Sequence, residues 1–388
     1  MRTTPFLVIL GEFPHFLFTL LLISSLTGCG GGSSGGATAT TPCSSFDCLT
    51  SKFNLVTANL DGNNLAVIAT DSYREMTHPR ITLDRKWIAY TRFNTIGDNG
   101  CAEEKSTPEN FYFNTGIRVA SIDGSTNIEL TTPDLSRFST NAYWIGNTYD
   151  FTFLEGDPRS AVAQDKLQIK RGSRNADMNV NLGTVVITPT TGTFTTVFDP
   201  QQVLTKIVFG GQYTSTIAVK SIFTMNLNGS GLAGITIAAD RNGVVVAADK
   251  ANENDPKLSP DGTKIAFMRK INTGIAANDH GFHIFVTNSN SIPGAEVNRS
   301  IATIGTDPNF NDAVPEWIDN TTLVFFTLNI TNTGLVQKLY TMKDDGTLRT
   351  EIPLPTGYYY SHVIPYRDAQ GNTKILFAAN KSATSCRQ

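Results

Sequence analysis

Four histidines outside the N-terminal segment, His78, His280, His283 and His362, and one carboxylate, Asp255, are the side chains best suited to chemistry. His78 and His362 stand at equivalent places in a repeating pattern, and Asp255 occupies the matching place in a third copy. Imidazoles and a carboxylate that converge can bind a divalent metal or a sugar acid. His280-Gly281-Phe282-His283 is a closer pair, but two imidazoles in a loop make only a weak metal candidate. The bland alternative is that His and Asp before Pro are turn formers at strand entries. No Gly-x-Ser-x-Gly elbow is read, since that pattern falls only within the glycine and serine run at residues 30–36, which reads as a tether, and no Gly-rich loop follows a strand and opens a helix. No catalytic residue is assigned and no cofactor is expected.

Those side chains sit in a chain of 388 residues that is 40% hydrophobic and 17% charged, with a formal net charge of -3. The composition supports a core and lacks the basic footprint that nucleic-acid binding requires. The pattern that positions them is a strand, a tight turn and a strand. Its clearest copy is Asp255-Pro256-Lys257-Leu258-Ser259-Pro260-Asp261-Gly262-Thr263-Lys264-Ile265-Ala266-Phe267. Proline presets one turn position and glycine accepts positive φ. Copies recur from His78, Asn141, Phe198, Val314 and His362, making six. A second unit, a strand pair around an Asn-x-Asp-Gly type of turn, follows each: near Leu55, Ile117, Leu167, Ile222, Ile284 and Leu339. The copies near Leu167 and Phe198 are the poorest.

Two such units make four antiparallel strands, the size of a propeller blade. The expected fold is therefore all-β, a six-bladed β-propeller over residues 51–388. The chain begins with the second kind of unit and ends with the first. One blade must then be shared between N- and C-terminal strands, which closes the ring and covers strand edges. The pattern of Ser259-Pro260-Asp261-Gly262-Thr263-Lys264-Ile265-Ala266-Phe267, followed by a strand and an Asn-x-Asn-Gly or Asn-x-Asp-Gly turn, resembles the repeats of TolB-like propellers. That resemblance implies protein–protein interaction in the bacterial envelope, although the N-terminal domain of TolB has no counterpart here. Propeller lyases acting on oligogalacturonides offer a different analogy, with a metal site in the channel made here by His78, Asp255 and His362. Trp87, Trp144 and Trp317 lie in or beside inner hairpins, either stacking ligands at a rim or, as favoured, packing between blades.

Residues 1–28 read as an export signal with the apolar run Phe16 to Ile23, too short to span a bilayer comfortably. Leu26-Thr27-Gly28-Cys29 is similar to the lipobox of bacterial lipoproteins, which implies lipidation of Cys29. Residues 29–50 form a Gly/Ser/Thr tether. By the same resemblance, Gly30 after the cysteine implies outer-membrane sorting. Four further cysteines, Cys43, Cys48, Cys101 and Cys386, fit two disulfides in an oxidising compartment. Cys386 bonded to Cys43 or Cys48 would lock the shared blade, and a local Cys43–Cys48 bridge is the alternative. The expectation is a monomeric, lipid-anchored envelope protein that binds or scaffolds a protein, peptide or glycan. The alternatives are a metal-assisted enzyme on acidic oligosaccharides and a purely structural surface lipoprotein.

Overall fold

The computed structural model describes residues 53–71, 76–92, 115–131, 138–157, 168–187, 194–213, 220–236, 253–270, 282–290, 297–298, 310–331, 334–354 and 358–381. Cys29, Cys43, Cys48, Cys101, Cys386 and His280 lie outside the described residues, as do the signal and the tether. The described residues form strands and turns without a helix.

The strands are β1 (Phe53–Asn59), β2 (Ala66–Asp71), β3 (Met76–Ile81), β4 (Trp87–Arg92), β5 (Gly116–Ser121), β6 (Asn127–Glu129), β7 (Phe138–Trp144), β8 (Asp150–Gly156), β9 (Gln168–Arg174), β10 (Asn181–Val186), β11 (Phe194–Val203) and β12 (Lys206–Tyr213). They continue as β13 (Lys220–Asn226), β14 (Ala233–Gly234), β15 (Glu253–Leu258), β16 (Lys264–Lys270), β17 (Phe282–Asn288), β18 (Val297–Asn298), β19 (Phe310–Asp319), β20 (Thr322–Thr331), β21 (Gly334–Lys343), β22 (Thr350–Ile352), β23 (Tyr358–Arg367) and β24 (Thr373–Lys381).

These pair into six four-stranded antiparallel sheets. Blade 1 is β3 to β6, blade 2 is β7 to β10, blade 3 is β11 to β14, blade 4 is β15 to β18 and blade 5 is β19 to β22. Blade 6 has the order β2-β1-β24-β23, with Asn54 opposite Ala379 and Asn59 opposite Lys374. The innermost strands touch in a closed cycle, β3 to β7, β11, β15, β19, β23 and back to β3. All six inner hairpins and all six outer pairs expected from the repeat are formed.

A separate apolar cluster fills each gap between blades. Val208 and Ile222 of blade 3 meet Ile265 and Phe267 of blade 4. Ile284 of blade 4 meets Leu323 and Phe325 of blade 5. Leu55 and Leu376 of blade 6 meet Ile88 and Tyr90 of blade 1. Burying one such side chain contributes about 1.5–3 kcal/mol, so every blade is held mainly by its neighbours. The three tryptophans join in. Trp87 Nε1 donates to Ala176 O in blade 2 at 3.0 Å, Trp144 to Arg80 O in blade 1 at 2.9 Å and Trp317 to Lys257 O in blade 4 at 2.8 Å.

The two ends of the ring differ. One carries tight turns in which an aspartate accepts the backbone N–H two residues on, as Asp261 does from Thr263 at 3.0 Å and Asp123 from Ser125 at 3.0 Å. Two of their glycines combine positive φ with a close approach. A Cβ on Gly124 (φ +73) would lie 2.5 Å from Ile68 O, and one on Gly62 (φ +80) would lie 2.4 Å from Pro353 O. Both turns press on the neighbouring blade. At the opposite end, strands are separated by longer stretches of sequence, residues 93–115 and 235–252 being the longest.

Candidate functional site

Each innermost strand is interrupted by a bulge two residues long. The first residue of each bulge has positive φ: His78 (51°), Asn141 (56°), Asp199 (47°), Asp255 (49°), Val314 (55°) and His362 (43°). His, Asn and Asp tolerate that region better than other non-glycine residues, which explains five of the six choices. Proline follows at four of them, Pro79, Pro200, Pro256 and Pro315. A proline fits because the bulge leaves its position out of the ladder and no N–H is required. Val314 is the strained exception, and its N–H donates to Met268 Sδ at 3.0 Å.

The bulges re-aim side chains toward the axis and create two levels. At the upper level, His78 and His362, from adjacent blades 1 and 6, stack with ring centroids 3.7 Å apart and a tilt of 34°. The Thr77 hydroxyl touches both rings, 2.9 Å from His78 Nδ1 and 2.6 Å from His362 Nδ1. Ser361 Oγ lies 2.7 Å from His362 Nδ1 and donates to Thr77 Oγ1 at 3.0 Å. Two hydroxyl protons cannot serve four contacts. The network is completed only when an imidazole donates from Nδ1, and in its neutral form that ring's Nε2 is then the acceptor.

Asp255 does not join them. It stands three blades away from His78, where its backbone N–H donates to Asp199 Oδ2 at 3.3 Å and its Oδ1 faces Lys257 Nζ at 3.3 Å. Asp199 also accepts from Asn141 Nδ2 at 2.6 Å. Of the three predicted residues the fold brings two together and ties the third to a lysine. No group of three His, Cys, Asp or Glu side chains that could hold a metal ion is found among the described residues. His283 is the second residue of β17, opposite Arg269, on the third strand of its blade rather than on the innermost one. Burial lowers its pKa to about 4, so it is neutral at physiological pH.

The lower level, two residues further along each inner strand, is the one that sequence reading missed. Arg80, Tyr143, Lys257 and Glu316 meet there, all buried. Arg80 Nη2 lies 2.7 Å from Glu316 Oε1, and Lys257 Nζ is 3.8 Å from the same oxygen. Arg80 also donates to the Tyr143 hydroxyl, with its guanidinium 4.1 Å above the Tyr143 ring centre. Burial pushes the Glu316 carboxyl up, while Arg80 and Lys257 pull it back. Burial opposes the charges of Arg80 and Lys257, but their anionic neighbours outweigh it and both stay protonated. The signal that could have revealed this level is the recurrence His78-Pro79-Arg80, Asp255-Pro256-Lys257 and Val314-Pro315-Glu316: a charge directly after the bulge proline in three of the inner strands.

Two further ion pairs join elements within single blades. Glu253 accepts from Arg269 Nε at 2.6 Å and from Thr236. Asp312 holds Arg349 through two contacts, at 2.9 and 3.1 Å. A cleft of about 620 Å³ between the β11–β12 and β15–β16 turns, lined by Leu204, Lys206, Asp261 and Asn290 among others, opens at the short-turn end and includes none of the axial residues.

No protein-family model and no curated protein matches the chain. Solved structures similar to it include an oligogalacturonate lyase from Vibrio parahaemolyticus, 9% identical with a TM-score of 0.48, over 84% of this chain and 82% of that one. A puromycin-hydrolyzing peptidase from Mycobacterium tuberculosis is 11% identical with a TM-score of 0.46, over 81% of this chain. The chain spans 45% of that peptidase's length. A protein described as a TolB from Agrobacterium tumefaciens is 12% identical with a TM-score of 0.33, over 84% of this chain and 97% of that one. What makes the present chain a six-bladed propeller is its own strand pairing.

Proposed function

We propose that the chain is a lipoprotein of the bacterial envelope, anchored through Cys29, whose propeller binds or scaffolds a partner through the end of the ring that carries the long connections. The observation that carries this is the asymmetry of the ring. One end carries mostly short turns bonded within themselves, and every connection longer than eight residues lies at the other. Variable loops on a fixed scaffold are the usual place for recognition. Beneath that end the axis is filled by Arg80, Glu316, Lys257 and Tyr143, which favours an external binding face over passage through the ring.

The anchor is tested by Cys29→Ser, which should abolish labelling by radioactive palmitate and move the protein from the membrane to the soluble fraction. The binding face is tested by placing a photo-crosslinking residue at position 105, in the longest connection, and at Thr347, in a short turn. Adducts in intact cells are expected from position 105 only. Adducts from Thr347 alone would reverse the assignment.

A second reading, a metal-assisted enzyme on acidic oligosaccharides, draws on the His78–His362 pair. A ring that donates from Nδ1 presents Nε2 as a metal-ligating histidine does. The hydroxyl network requires this of one ring, and Asp255 is held by Lys257 three blades away. Metal analysis of the purified protein, with His78→Ala and His362→Ala beside it, separates the readings. Absence of copurifying metal and of any change in polyuronate substrates would retire the enzyme.

A further inference from the structure

The outer rim of blade 2 differs from the others. β10 ends the sheet order β10-β9-β8-β7, and all six of its residues are exposed. Most outermost strands are too short to invite pairing: β14 and β18 have two residues, and β6 and β22 have three. β2 is as long as β10, but its Ile68 and Ala69 pack into the core between blades 6 and 1. No residue of β10 belongs to a core cluster. Val180, Leu182, Val185 and Val186 are 48–63% exposed. No Asp, Glu, Lys or Arg occurs from Met178 to Phe198. Natural edge strands are usually blunted by charge, proline or brevity. Here the only such device is the bulge between Asn181 and Gly183.

We infer that β10 is a docking edge for a second copy of this chain, pairing antiparallel with its own counterpart about a two-fold axis. A strand without charge meets no like charge when it faces itself. A register centred on Thr184 sets Thr184 opposite its counterpart and Leu182 opposite Val186, both favourable cross-strand pairs. The contact is small. Four half-exposed aliphatic side chains per copy fall well short of the roughly 800 Å² per partner of a standard stable interface. The occupant must therefore be present at high local concentration, which a second copy held in the same membrane leaflet is. The inference rests on the anchor proposed above and departs from the monomer expected from sequence.

The test uses the full chain in bacterial membranes, with a photo-crosslinking residue at Thr184 and a control at Thr347. An adduct of twice the monomer mass is expected from position 184 alone. It should fall at least tenfold with Val185→Lys (56% exposed), but not with Leu348→Lys, which changes a still more exposed leucine in a turn (72%). Cys29→Ser should also reduce it about tenfold, since the released protein is diluted in three dimensions. Both lysine variants should retain the parent's thermal unfolding midpoint, which separates lost pairing from lost folding. An anchored protein that gives no adduct at position 184, or one of another mass, overturns the inference alone. A protein that is soluble with Cys29 intact overturns the anchor and the inference with it.

Discussion

Arg80 and Glu316 meet across the ring axis at 2.7 Å, although blade 6 lies between the blades that carry them. The propeller is therefore cross-braced through its middle as well as packed blade against blade. Lys257, within 3.8 Å of the same carboxylate, makes Glu316 the shared anion of two buried cations.

Removing that anion should be costly. Glu316→Ala leaves Arg80 and Lys257 buried beside fewer compensating charges, and breaking a buried pair in this way costs about 3–5 kcal/mol. Replacing the pair, as in Arg80→Met with Glu316→Leu, should recover most of the loss, since the desolvation of both ions is relieved together and Lys257 keeps Asp255 at 3.3 Å. Urea denaturation of the single and double variants checks this. A single variant within about 1 kcal/mol of the parent would show that the cross-brace does not stabilise the ring.

Gly124 should tolerate a methyl group worse than Gly146, although both have positive φ. A Cβ at Gly124 would stand 2.5 Å from Ile68 O of the neighbouring blade, whereas nothing lies within 4 Å at Gly146. Gly146→Ala should cost about 1 kcal/mol from backbone strain. Gly124→Ala should cost at least twice that, because the two blades must also separate. Equal thermal shifts for the two variants would rule out the close approach as a constraint.

Acid should weaken the fold through His283. Burial holds its folded pKa at about 4, below the ordinary value of 6.5. Between those values the unfolded chain binds the extra proton, so stability rises with pH across this window and levels off above about 6.5. His283→Gln should flatten the stability profile between pH 4 and 6.5, read from urea midpoints at a series of pH values. A profile equally steep in the variant would assign the slope to other groups.

The turn glycine disclosed part of this architecture, although the hairpin after His78 was legible with Arg85 (φ 62°) in that place. Where the turn glycine is present, as at Gly262 (φ 70°) or Gly124 (φ 73°), the hairpin was plain. The two poorest copies fold equally well but put other residues in the left-handed position. Met178 (φ 61°) takes it in the outer pair of blade 2, where it is completely buried, and Leu204 (φ 53°) takes it in the inner hairpin of blade 3. Packing or brevity compensates for the missing glycine there, so the turn signal was absent while the turn was not.

The site was less legible than the fold for a different reason. His78 and His362 could be placed near each other once the shared blade was inferred, because they begin adjacent inner strands. The axial level could not be, because Arg80, Lys257 and Glu316 lie far apart in the chain and single charges in strands read as surface residues. Only the bulge, which turns the residue after each proline inward, makes them neighbours.

The pairing of β1 with β24 has a consequence for the life of the molecule before it is folded. Asn54 donates to Ala379 O, a partner 325 residues away. During synthesis β1 has no inner strand to join until almost the whole polypeptide has emerged. A long closure of this kind is entropically slow to form. A nascent chain still attached at its C-terminal end cannot have completed its circle, so the ring stays an open row of blades until synthesis is nearly over.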